Sequence, residues 1–199
     1  MAFLLEKCTF APVTDELLTR LQPFSCHHED DLAVFFRSNA THASKQLMSQ
    51  SYCFYDPTTM HMVAAFCVLN TNLSMEHLPN YVRRTVNKEV TYEKQRRQYP
   101  ATLIGQLAVF DGYEQFHVGN ELMDFILVWL MEHGMNMGNR FLLVDAINHE
   151  KVLEFYARNE FKLMFRTEDD EKSAIGKSLD EPLSTRMMFY DMIHLYENN

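Results

Sequence analysis

Residues 101–110, ATLIGQLAVF, form a nearly continuous apolar run closed by Asp111 and Gly112. Such a run suits a central strand covered on both faces, because a strand with one wet face alternates. The next segments narrow the architecture further. Val118, Leu122, Phe125, Ile126 and Trp129 recur with the 3.6-residue period of a helix that reaches about residue 134. Residues 140–146, with FLLVDA at their centre, read as another buried strand. Val152, Phe155 and Tyr156 then stripe a helix over about 149–159.

The flanks extend this alternation. Residues 3–10 read as a first strand stopped by Pro12, and Thr14 caps a short helix to Leu21. Within 24–49, Leu32, Phe35 and Phe36 stand at helical spacing and Asn39 offers the cap of another helix, which predicts two short helices. Residues 51–55 and 60–70 form a hairpin through the turn DPTT. The polar segment 71–98 fits a helix only in part and is bracketed by Pro79 and Pro100. Residues 161–165 and 185–190 close the set of strands, and TEDDEKSAIGKSLDEPLS between them reads as a long hairpin loop too polar to pack. No repeat or linker divides the chain, so residues 1–199 are expected to form one domain of mixed α/β type with helices on both faces of the sheet.

With 47% apolar and 23% charged residues, a chain of 199 can bury a full core, and disordered or collagen-like forms are excluded. Eighteen basic against 27 acidic residues give a net charge of −9, so any polyanionic ligand needs a local site. Cys8, Cys26, Cys53 and Cys67 form no CxxC pair, and His27 and His28 are adjacent residues that do not converge on one ion. Reduced thiols and no metal are therefore expected. The N-terminus lacks the pattern of a signal peptide, and the longest apolar run, 125–131, is far short of the ~20 residues that span a bilayer. A cytoplasmic location without a membrane partner is expected. The six glycines all lie between Gly105 and Gly176.

Two segments carry a specific pattern. LAVFDGY followed by Gly119, Leu122 and Met123 is a strand, a tight loop and a helix start whose unpaired amides suit a phosphate. FLLVDAINHEKVLEFYARNEFKLM is a strand, a turn at Asn148, and a helix bearing Phe155 and Tyr156. Together, over about 99–164, they resemble the GCN5-related N-acetyltransferase (GNAT) family. The rest of the chain follows the family's element order, and PFSCHHEDDLAVFF resembles the substrate-side helices of members that include aminoacyl-tRNA acetylating toxins.

The resemblance implies a GNAT-type, mostly antiparallel central sheet of about seven strands. It implies acetyl-CoA as cosubstrate, with the backbone of Leu107, Ala108 and Val109 pairing with the pantetheine arm. The amides of Gln115, Phe116, His117, Val118, Gly119 and Asn120 would hold the pyrophosphate. Aligning the loop's last small residue on Gly119 puts His117 at the family's first glycine and Glu114 at its Arg/Gln position; a register one residue later puts Gln115 there. Asn148 matches a position that contacts CoA or caps the helix. Tyr156 matches the phenol that gives a proton to the departing thiolate, and Glu160 stands where the family has glycine.

The implied reaction is direct attack by a primary amine on the thioester, with Glu93, His149, Glu150 or a chain of waters taking the amine's proton. The acidic balance favours a cationic small-molecule amine or a lysine-bearing peptide as acceptor. It argues against nucleic acid, although Arg83, Arg84, Lys88, Lys94, Arg96 and Arg97 form the local patch that an aminoacyl-tRNA acceptor would need. A third reading, a binding protein on a degenerate GNAT fold, rests on Glu114 and His117. A homodimer is compatible with all three.

Overall fold

Helix α1 (Phe3–Lys7) opens the computed structural model, which describes residues 3–26, 29–76, 78–87, 90, 98–113, 117–134 and 138–197. Strand β1 (Thr9–Pro12), α2 (Asp15–Arg20) and a helical run come next, the last made of α3 (Asp30–Val34), a π-helical segment (Phe35–Asn39) and α4 (Ala40–Lys45). The hairpin β2 (Gln50–Tyr55) and β3 (Met62–Ser74) leads to α5 (Asn80–Asn87), β4 (Gln98–Val109) and α6 (Val118–Gly134). Then come β5 (Phe141–Ile147), α7 (Glu150–Arg158), β6 (Lys162–Leu163), α8 (Glu168–Ile175), β7 (Thr185–Asp191) and α9 (Ile193–Glu197). The strands make a seven-stranded sheet in the order β1-β2-β3-β4-β5-β7-β6, and β1–β2, β2–β3, β5–β7 and β6–β7 pair antiparallel. The mixed α/β, mostly antiparallel fold expected from the sequence is the one found.

The chain packs as two compact units, residues 1–69 with 104–130, and residues 70–103 with 131–199. In the first, Phe36, Cys53, Met62, Ala65 and Phe110 lie in one buried cluster. Beside it, Phe10 meets the ring of Phe125 edge-on at 4.7 Å, and Tyr52 meets Trp129 at 4.7 Å, which fixes the apolar stripe of α6. The turn between β2 and β3 is held by Asp56, whose carboxylate accepts the amides of Thr58 and Thr59. In the second unit, Leu73, Val82, Val86, Tyr99, Phe141 and Phe165 form the buried centre. Cys26, Cys53 and Cys67 are buried free thiols and Cys8 is half-buried; burial pushes the Cys53 thiol up to about 12, and burial with nearby Asp56 and Glu121 pushes Cys8 up to about 11.

Three expectations are corrected. Residues 3–10 are not one strand: Glu121 accepts the amides of Phe3 (2.9 Å) and Leu4 (2.8 Å), satisfying the start of a helix that buries Leu4. That carboxylate lies far along the chain, beyond local pattern. Asn39 caps nothing: it keeps right-handed helical backbone, and the Ala40 amide reaches the Phe35 carbonyl across a π turn, so 30–45 is one continuous helical run. The segment expected as a polar loop contains α8. Thr167 caps it through Oγ1, which accepts the Asp170 amide at 3.1 Å, and Gly176 ends it at φ +71°. Its polar residues pack because they pair. Glu171 receives Nε of Arg186 at 2.6 Å and the Met187 amide at 2.6 Å, with both charged side chains under 9% exposed.

Candidate functional site

In the first unit, the end of β4 is tied down by backbone. The Phe110 amide donates to the Val63 carbonyl (2.9 Å) and the Asp111 amide to that of Ser25 (3.1 Å). Gly112 then turns the chain at φ +90°. Of the residues expected to pair with pantetheine, Ala108 is buried while Leu107 and Val109 are half-buried. Gln115 and Phe116, with Glu114, lie outside the described residues.

His117 sits at φ +57°, in the left-handed region that favours glycine. The position where the family pattern has a glycine thus keeps a glycine's backbone. The His117 carbonyl accepts the amides of Asn120 (3.1 Å) and Glu121 (3.4 Å), which starts α6. Val118, Leu122, Met123 and Ile126 are fully buried and fix the helix, while Gly119 in its first turn is half-buried and His117 and Asn120 are exposed. The first amides of α6 and the positive end of its dipole make this helix start chemically suited to an anion.

In the second unit, β5 runs into α7 through Asn148 and His149. His149, not Asn148, is the residue before the first turn, and its side chain makes no capping bond. The Asn148 side-chain amide donates instead to the Leu183 carbonyl and to Glu168, each at 3.0 Å, and its backbone amide donates to the Ser184 carbonyl. It joins the start of α7 to α8 and the approach to β7. His149 and Glu150 are exposed; Glu93 lies outside the described residues, as do His27 and His28.

Tyr156 is 7% exposed, its ring edge-on to Phe155 (5.1 Å) and Phe161 (5.4 Å). Helix α7 stops in a left-handed turn. The Glu160 amide donates to the Ala157 carbonyl, the Phe161 amide to the Tyr156 carbonyl, and Glu160 itself lies at φ +66°. This stop holds Tyr156 by both its carbonyl and its ring. Among the described residues no hydrogen bond engages the Tyr156 hydroxyl, and burial raises its pKa well above the ordinary phenol range, so it is a donor at any physiological pH.

The second unit also holds a cavity of about 310 Å³. Leu73, Leu103, Leu143, Phe165 and Met187 supply apolar wall, Thr71, Asn72 and Ser74 supply polar groups, and among the described residues Asp145 is the one charged residue lining it. Desolvation raises the Asp145 pKa above the ordinary carboxylate range. Sequence reasoning passed over Asp145 even though it lies inside FLLVDA. The signal was a lone acid in an otherwise apolar strand.

Among the described residues, no group of three His, Cys, Asp or Glu side chains is placed to hold a metal ion, and no helix is long and apolar enough to cross a membrane.

A GNAT-like fold is what the topology and the two helix starts define, and solved structures share it. A tyrosine-to-phenylalanine mutant of KacT superposes with a TM-score of 0.72 at 16% identity, covering 98% of this chain and 100% of that one. AtaT complexed with acetyl-methionyl-tRNAfMet gives 0.71 at 15% identity over 96% and 98%. AtaTR bound with acetyl-CoA gives 0.70 at 16% identity over 97% and 98%. No family model and no curated protein matches the sequence.

Proposed function

We propose that this protein is an acetyl-CoA-dependent N-acetyltransferase whose acceptor is the α-amino group of an aminoacyl-tRNA. The observation that carries the reading is the likeness to AtaT, solved with an acetylated methionyl-tRNA, which covers 96% of this chain and so reaches well into the half before residue 99, where the sequence pattern rests mainly on element order. The residues present fit the cosubstrate. The left-handed backbone at His117 and the first amides of α6 suit a pyrophosphate, held by residues 115–120, and the backbone of Leu107, Ala108 and Val109 takes the pantetheine arm like an added strand. Asn148 acts by joining α7 to the β7 approach rather than by capping.

The chemistry is a substitution at the thioester carbonyl. The neutral amine forms the new C–N bond, the C–S bond breaks, and the phenol of Tyr156 gives its proton to the leaving thiolate and regains one from water. The acceptor ammonium loses two protons overall and the thiolate takes one, so one proton is released per turnover.

The test is transfer of label from [14C]acetyl-CoA to aminoacylated total tRNA, with mild base then releasing labelled N-acetyl amino acid. Uncharged tRNA should take no label. A small cationic amine or lysine-bearing peptide is the second reading, favoured by the net charge of −9. Label on such amines and none on aminoacyl-tRNA would establish it instead. Acetyl-CoA binding without transfer to either acceptor would leave the degenerate binding protein.

A further inference from the structure

The cavity of the second unit has walls, polar groups and one charge, and its composition defines what enters. At about 310 Å³ it lies at the small end of ligand sites and matches a body of amino-acid size. β3 contributes Thr71, Asn72 and Ser74, while β4, β7 and α8 contribute Leu103, Met187 and Ala174; none of these titrates or carries charge. Asp145 on β5 has no hydrogen bond or ion pair among the described residues. Other acids near this face are already engaged: Asp170 accepts the Tyr81 hydroxyl (2.8 Å) and Glu171 holds Arg186. Asp145 keeps solvent contact on β5, so its charge stays hydrated in the free protein, and the cavity offers it no cation among the described residues.

We propose that this cavity is the acceptor pocket and that Asp145 holds the substrate's primary ammonium and then takes its first proton. The ligand class is a primary ammonium on a compact apolar body, as at the end of a tRNA charged with an apolar amino acid. The proton step rests on the acetyl-transfer reading; the binding step does not. In that step the N–H bond of the ammonium breaks, its electron pair stays on nitrogen, and the proton moves to a carboxylate oxygen. The raised pKa of Asp145 brings it nearer that of the amine, which eases the exchange.

The binding test uses n-hexylammonium and hexan-1-ol without cosubstrate, read by the shift of the labelled Met187 methyl group. The ammonium should bind more tightly than the alcohol. Asp145→Asn should weaken the ammonium at least tenfold and leave the alcohol unchanged, and Ala174→Leu, which fills the space, should weaken both. Equal binding of the two probes, or an ammonium affinity untouched by Asp145→Asn, overturns the proposal. In the rate test, kcat/KM for the working acceptor should fall at acid pH as Asp145 protonates, and Asp145→Asn should lower the rate and flatten that limb. A full rate with an unchanged acid limb in Asp145→Asn also overturns it. Selective ammonium binding in a protein that transfers no acetyl group would keep the pocket and remove the transferase reading.

Discussion

Glu160 stops α7 at φ +66° with a side chain where Gly176, at φ +71°, stops α8 without one. A non-glycine residue in that region costs roughly 1–2 kcal/mol, and glycine returns part of this through its freer unfolded chain. Glu160→Gly should therefore raise the unfolding free energy by about 0.5–1 kcal/mol in urea titrations, while Glu160→Val should lower it. The stop was legible as a departure from a glycine pattern, but that it kept a glycine's backbone was not. Tyr156 separates stability from chemistry. Its ring is packed against Phe155 and Phe161, while no described residue bonds its hydroxyl, so Tyr156→Phe should melt within a degree or two of the parent. On the proposed chemistry the same change should lower kcat by about 10²–10⁴, the range of general-acid contributions. Asp145 has the opposite signature. Its folded-state pKa is raised, so folding disfavours its charged form; the charge destabilises at neutral pH, and that cost fades as pH falls through the raised folded pKa and is gone below the unfolded carboxylate value of about 3.9. Asp145→Asn should be the more stable protein at pH 7, with the difference closing toward pH 3 in thermal melts.

At the scale of elements, α8 depends on a buried charge pair. Arg186 gives Nε to Glu171 and Nη2 to the Phe165 carbonyl, and Glu171 also takes the Met187 amide. Removing one partner leaves the other charge buried and alone. Arg186→Met should cost about 3–5 kcal/mol, and the double change with Glu171→Met should recover most of it, measured by chemical denaturation. This helix shows where sequence reading ran out. β4, α6, β5 and α7 were legible because apolar periodicity records burial, and their observed bounds lie within a few residues of the expected ones. Helix α8 buries Glu171 and Lys172, so its pattern imitates solvent exposure. Helix α1 escaped for a related reason, since Glu121, which satisfies its first amides, belongs to another element. The cavity was hidden too: its walls come from β3, β4, β5, β7 and α8, and no single segment shows that Asp145 and Thr71 share a space.

For the whole molecule, a net charge of −9 sets a demanding condition on an RNA acceptor. Attraction has to come from a few cations against a repulsive background, and Arg83 and Arg84, both exposed on α5, are the described residues of the basic segment. Transfer to aminoacyl-tRNA should weaken steeply between 50 and 200 mM salt, and replacing both arginines by alanine should flatten that slope by up to about two in logarithmic units. Transfer to a small amine should respond to neither change. The sulfur chemistry described for the fold decides how easily such rates are followed. Cys26, Cys53 and Cys67 are buried, and burial with nearby Asp56 and Glu121 pushes the half-buried Cys8 thiol up to about 11, so the protein presents almost no accessible thiolate to a reagent at neutral pH. Disulfide reagents react with thiolates, not thiols. An aromatic disulfide added during turnover would therefore colour with released CoA against a nearly silent protein, making each acetyl transfer visible in real time.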